Sequence, residues 1–203
     1  MAPRLTRSEK RAQTRRALVD AAQTVFLSRG FTGATVEEIT AEAGFTRGAF
    51  YSHFESKEQL FVELLKDRVF SYYERMSERR LADLDHLPSL RETGEELAAL
   101  QVERENEWLF RLFLEVLAHA TRHDEFRALA AQFWSRNRAL VAELTDRAHA
   151  QAGKPPPADP NLVATAMIAL NLGLAIQRYV DPDAVPLTAW PDLFEALFPP
   201  INP

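Results

Sequence analysis

Four helix-start signals fall within the first sixty residues: Thr6-Arg7-Ser8-Glu9, Thr35-Val36-Glu37-Glu38, Thr46, and Ser56-Lys57-Glu58-Gln59. In such a signal the hydroxyl of the first residue accepts from the N–H three residues on, while the Glu or Gln there reaches back to the first residue's own N–H. A chain restarted so often has little room for strands, and short helices follow. The first run carries Ala17, Leu18, Ala21, Ala22, Val25 and Phe26 on one stripe and ends at Gly30. The second is stopped by Gly44, the third spans about Thr46–Phe54, and the fourth opens a long helix. Its apolar positions Leu60, Phe61, Leu64, Leu65, Val69 and Tyr72 keep helical spacing.

The remainder keeps that period. The charged run Glu78-Arg79-Arg80, then Asp83, Asp85 and Pro88, marks a joint. Beyond it the pattern predicts helices over 89–105, 107–121, 124–151, 160–179 and 188–198, with Asn106 a candidate break between the first two. Pro155-Pro156-Pro157 and Asp181-Pro182 are loops. The expectation is an all-α chain of about nine helices: a three-helix module over residues 1–55, a joining helix over 56–80, and a helical body over 81–203.

Composition removes several chemistries. With no cysteine there are no disulfides, thiol nucleophiles, iron–sulfur clusters or thiolate zinc sites. Neither G-x-S-x-G nor a P-loop occurs. His119 and His123 have a helical metal-ligand spacing without a third ligand, so neither metal nor cofactor is expected. The opening Met-Ala-Pro-Arg has no apolar stretch after it, which makes the cytoplasm the expected location. The apolar run Leu162–Ile176 is fifteen residues, short of the ~20 that cross hydrocarbon, and suits a helix–helix contact better than a membrane.

The net charge of −5 is unevenly spread. Residues 1–80 carry 14 Lys and Arg against 11 Asp and Glu; residues 81–203 carry 10 against 18. A basic front end on an acidic body points to a polyanion-binding module. Within it, residues 35–57 read as two helices about a tight turn. Val36, Ile39 and Ala43 face inward, Phe45 packs under the turn, and Phe50 and Phe54 fill a small core against Val25, Phe26 and Phe61. The opposite face of the second helix is then Arg47, Gly48, Ala49, Ser52 and His53, with Tyr51 at its edge. So thin a face suits a major groove ~12 Å wide.

The string TVEEITAEAGFTRGAFYSHFESKEQLFVELL resembles the DNA-binding domain of the TetR family of bacterial transcriptional repressors, from about Ser8 to Arg68. The signature is an Ala-Gly turn, Thr-x-Gly, Phe-Tyr-x-His-Phe, and a Ser-Lys-Glu cap on the next helix. The resemblance implies that Thr46–Phe54 is the recognition helix. Thr35 and Thr46 would touch phosphates, Arg47 and Ser52 would face base edges, and Gly48 and Ala49 would allow close approach. Tyr51, His53 and Lys57 match the family's phosphate contacts. Phe50 replaces a more usual Leu. The arm Arg4, Arg7, Lys10 and Arg11 either reaches a minor groove or does not.

The same resemblance implies a regulator and not an enzyme: a homodimer on a palindromic double-stranded operator, released by a small apolar or aromatic effector. The last two helices would pair two copies through Leu162, Ala166, Ala169, Leu170, Gly173, Trp190, Leu193, Phe194 and Leu197. Trp108, Phe110, Phe113, Leu117, His119, Phe133, Trp134 and Ile176 would line the effector pocket. A small helical enzyme built on those aromatics, and a protein that coats DNA without sequence choice, are the rival readings.

Overall fold

The computed structural model describes residues 6–71, 87–102 and 104–198. Among these residues there are nine α-helices, one π-helical segment and no strand. The helices are α1 (Arg7–Gly33), α2 (Val36–Glu42), α3 (Arg47–Tyr51), α4 (Lys57–Leu64), α5 (Leu90–Leu100), α6 (Arg104–Ala120), α7 (Asp124–Gln151), α8 (Pro160–Val180) and α9 (Ala189–Leu197). The all-α expectation holds. Tyr72, the rest of the helix expected to residue 80, the charged run to Asp85, and Arg4 lie outside the described residues.

All four expected caps form. Thr6 and Thr35 close reciprocal capping boxes with Glu9 and Glu38, and Thr46 and Ser56 accept from the N–H groups of Ala49 and Gln59. The helix ends differ from expectation in three places. Gly30 adopts φ +70° and ψ 165°, which breaks α1 where an end was expected, yet a last turn continues to Gly33. The expected long helix keeps α geometry only to Leu64, then widens into π-helical turns over Leu65–Phe70. The break expected at Asn106 falls at Gln101 and Val102, so residue 106 lies inside α6.

The chain forms two compact units, divided inside α6 and α7. One comprises residues 1–73 with 108–130, the other residues 74–107 with 131–203. The expected module 1–55 therefore lies in a unit that also takes in most of α6 and the start of α7. Its core is aromatic. Phe26, Phe31 and Phe61 meet at ring-centroid distances of 4.7–5.4 Å, and Phe126 and His119 join them. Phe50 and Phe54 are buried beside Leu18, Ile39 and Leu60. Phe45 is a correction: it remains 36% exposed, because the wholly buried Phe50 already fills the space beneath the turn.

In the second unit α5 lies against α9 at a bare backbone contact. A Cβ on Gly94 would stand 2.5 Å from Pro191 Cα and 2.6 Å from Pro191 N, which no real contact permits. Trp190 and Phe194 are buried, and Trp190 Nε1 donates to Asn171 Oδ1 of α8 at 2.9 Å. Arg91 of α5 fastens the outside of the same contact to Asp192 and Glu195. Gly94 is therefore a glycine that helix propensity disfavours and packing requires. Gly94→Ala should lower stability by about 1–3 kcal/mol despite the better helix former, read as a fall in thermal midpoint; an unchanged midpoint would show that α5 and α9 do not touch there.

Candidate nucleic-acid interface

The turn between α2 and α3 is set by Gly44 at φ +70° and closed by the Phe45 N–H donating to Thr40 O at 2.8 Å. The left-handed φ favours glycine there. With Phe50 and Phe54 buried, Arg47, Gly48, Tyr51 and Ser52 are left exposed, and Ala49 and His53 are half-buried. The structure thus brings Arg47 through His53 onto one short helix and its cap, as the spacing implied.

The polar groups of that face are partly occupied. Arg47 Nη1 meets Glu37 Oε1 at 2.8 Å, and its guanidinium lies 5.6 Å from the Tyr51 ring centre. Both ion-pair partners are largely exposed, so water competes for each and the pair is readily exchanged. Ser52 Oγ donates to Ala49 O at 2.7 Å, and Thr35 Oγ1 donates to Glu38 Oε2 at 3.0 Å. The Thr35 backbone N–H, which donates to Glu38 Oε2 at 3.0 Å, and then the Thr35 hydroxyl hold the Glu38 carboxyl below the usual carboxylate range. Burial, then the nearby Arg11 and Arg15 charges, push His53 below the ordinary imidazole value, so His53 is neutral at pH 7.

Lys57 stands apart. Its Nζ donates to Phe31 O and Ala34 O, each at 2.7 Å, and lies 4.5 Å from the Phe31 ring centre. Arg15 is the residue that sequence reasoning missed, counted there as one more charge of the basic front end. Its Nη1 donates to His53 O at 3.0 Å, its Nε and Nη2 meet Glu63 Oε1 at 3.1 and 3.0 Å, and its guanidinium covers the Phe54 ring at 4.4 Å. One signal could have found it: Arg15 falls in helical register with Leu18, Val19 and Ala22 on the inward stripe.

The expected pocket residues fall in both units. On α6, Leu109, Leu112 and Val116 form the buried stripe, while Trp108, Phe110, Phe113 and Leu117 are half-buried on other faces. His119 stands edge-on to Phe31 at 4.4 Å in the aromatic core. In the second unit Phe133 is buried and meets the half-buried Trp134 at 5.4 Å, and Ile176 borders a surface cleft of about 350 Å³ with Val180 and Val185. The expected dimer residues divide too. Trp190 and Phe194 are core, whereas Leu162 is 65% exposed and Ala166, Ala169 and Leu197 are also exposed. Leu170, Gly173 and Leu193 are half-buried.

Comparison with known proteins agrees with this geometry. Residues 18–64 match the family described as bacterial regulatory proteins, tetR family, and residues 73–197 match the BetI-type transcriptional repressor C-terminal domain. The HTH-type transcriptional repressor DhaR of Mycobacterium sp. (strain GP1) is 38% identical over 90 residues, 44% of each chain. The repressor BepR of Brucella suis is 42% identical over 83 residues, 41% of this chain and 38% of that protein. The chain thus aligns with less than half the length of these relatives. Among solved structures, the complex of SmeT of Stenotrophomonas maltophilia with triclosan superposes with a TM-score of 0.74 at 24% identity, over 92% of this chain and 91% of that one. A transcriptional regulator of Saccharomonospora viridis in complex with choline gives 0.75 at 21%, over 92% and 95%. Likeness at that identity shows the fold.

Arg15 ties the carbonyl end of α3 to α1 and α4, so Arg15→Ala should cost about 1–3 kcal/mol of unfolding free energy, measured by denaturant titration. Amide exchange should quicken first over residues 47–54. Stability equal to the parent protein would show that these bonds carry nothing.

Proposed function

The chain belongs to the TetR family of bacterial regulatory proteins, and on that premise we propose that it is a homodimeric repressor, released from a palindromic operator by a small apolar or aromatic ligand. DNA-binding transcriptional regulation is common ground with its relatives, which are not enzymes. One observation supports the finer reading most: α3 buries Phe50 completely and turns a face of small and polar side chains to solvent.

On that face Arg47 and Ser52 are assigned to base edges, with Gly48 and Ala49 keeping the backbone close to the groove floor. Arg47 would exchange the Glu37 carboxylate for a base, since an arginine fork matches the two acceptors of guanine. Thr35, Thr46, Tyr51 and His53 are assigned to phosphates. Lys57 has two of its three N–H groups committed to carbonyls of its own chain, so it is not assigned to a phosphate.

A second copy is assigned to α8. Leu162, Ala166, Ala169, Gly173, Ile176 and Val180 recur at alternating intervals of four and three, the seam spacing of paired helices. Among the described residues a Cβ at Gly173 would meet nothing within 4 Å, Val180 is 78% exposed, and the seam is left unfilled. A two-fold pair would set two recognition helices about 34–36 Å apart, hence half-sites about ten base pairs apart. The effector is assigned to the half-buried Trp108, Phe110, Phe113 and Leu117. SmeT with triclosan and the Saccharomonospora viridis regulator with choline are precedents for small ligands, and a ligand acts here only through its preference for one of two states.

Selection from random duplexes should return a palindrome, and a chain that coats DNA without choice would return none. Ala169→Glu should give a monomer in sedimentation and lose the operator while keeping weak binding to bulk DNA; a dimer would move the interface elsewhere. His53 carries a pH signature. The free protein disfavours its proton, so acidification below about pH 6.5 should destabilise the fold. A phosphate beside the ring would favour that proton. Binding would then take up a proton, and operator affinity should rise as pH falls from 7.5 toward 6. A flat profile, or one that survives His53→Gln, would remove His53 from the phosphate set.

A further inference from the structure

The carboxyl end of α1 is held by cations from two different helices. A helix end leaves carbonyls without intrahelical donors and carries partial negative charge. Lys57, which opens α4, donates to Phe31 O and Ala34 O at 2.7 Å each. Arg111 of α6 donates through Nη2 to Leu27 O at 2.6 Å. Between these points α1 is broken at Gly30, whose bare Cα admits α6 closely: a Cβ there would stand 3.0 Å from Glu115 Oε1. Phe31 is shared by both sides, with the Lys57 ammonium 4.5 Å from its ring centre and the His119 ring edge-on at 4.4 Å.

We propose that Lys57 and Arg111 are positioning residues for operator binding: together they pin the broken end of α1 between α4 and α6. Lys57 then serves recognition from inside the protein and not as a phosphate contact. The linkage has a direction. Arg111, Glu115 and His119 alternate along α6 with Phe110, Phe113 and Leu117, the residues assigned to the effector. A shift of α6 must break the Arg111 bond or draw the end of α1 with it. Lys57 passes that displacement to the start of α4, six residues beyond the last residue of α3. The pin rests on the repressor reading and supplies its regulation.

The test uses the full-length protein and the operator selected for it. If no operator emerges, the repressor reading fails before the pin is examined. Operator and bulk-DNA affinities are then measured by anisotropy across a salt series for Lys57→Met, Lys57→Arg, Arg111→Met and Arg111→Lys, with amide exchange over residues 27–34. Lys57→Met should weaken operator binding about tenfold and Arg111→Met about threefold. The slope of log affinity against log salt and the bulk-DNA affinity should not change, and exchange over 27–34 should quicken. The two conservative variants, which retain a donor, should recover most of the affinity. A slope reduced by about one unit in Lys57→Met would place the ammonium on a phosphate and overturn its role. Parent-like operator binding and exchange in Arg111→Met would overturn the link to α6. Should Lys57→Met fail to fold, Lys57→Arg and Arg111→Met decide the matter by the same readings.

Discussion

A helix of five residues cannot satisfy its own ends. A helix leaves four N–H and four C=O groups without intrahelical partners, more than the five residues of α3, so it exists only because other parts of the chain complete it. Thr46 supplies the acceptor at its amino end, and Arg15 supplies donors beyond its carboxyl end, at His53 O. A similar solution recurs at three further helix ends among the described residues. Lys57 and Arg111 cover the end of α1, Arg127 Nε donates to Ala120 O at the end of α6, and Arg178 Nη1 gathers Pro182 O and Val185 O after α8. Cationic groups suit this task because the carbonyl end of a helix is its negative end. Each such cation fixes two elements at once, which a neutral cap does not.

That use of cations changes what the charge of the front module means. Its excess of Lys and Arg suggested a surface committed to polyanions, yet much of the charge is spent internally. Arg15 is tied to Glu63, Arg68 meets Asp20, and Lys57 is folded onto carbonyls. Arg47 differs because its partner, Glu37, shares its exposure and sits one turn of chain away on α2. An exposed pair sets the guanidinium 5.6 Å from the Tyr51 ring centre without burying it, so the side chain can still exchange partners. On the proposed reading, recognition depends less on the quantity of positive charge than on which guanidinium stands on the outer face of α3.

Legibility in the sequence followed the range of the interaction. The caps at Thr6, Thr35, Thr46 and Ser56 are contacts within four residues, and all four were readable. So were the helices of the body, whose apolar period is local. Burial of Phe50 and Phe54 with exposure of Arg47 and Ser52 followed from period alone, because a helix that buries one face presents the other. What escaped was long-range. Nothing near Lys57 in the chain says that its ammonium meets carbonyls 23 and 26 residues earlier. Arg15 and His53 are 38 residues apart, and Phe45 was misjudged because its site under the turn belongs to Phe50. Trp190 and Phe194 illustrate the same limit: an apolar stripe on α9 announces that something covers it, not whether that is α5 of the same chain or another copy.

α8 makes that last ambiguity concrete. It is 21 residues long, with a mean hydropathy of 1.4 over its most apolar window and only 22% of that window buried, so by length and composition it is long and apolar enough to cross a membrane. Its detail fits the proposal that a second copy's helix covers the side left exposed among the described residues. A span facing lipid gains nothing from small residues in register, since hydrocarbon fills any groove. Ala166, Ala169 and Gly173 instead share one side of α8, with Leu162 before them and Ile176 and Val180 after them in the same register. Small residues in register favour close approach of another helix backbone. On the opposite side Asn171 is occupied in its own chain by the Trp190 indole, which fixes the rotation of α8 and turns the small residues outward. The contact that buries Trp190 thus sets which side of α8 is presented for the proposed pairing.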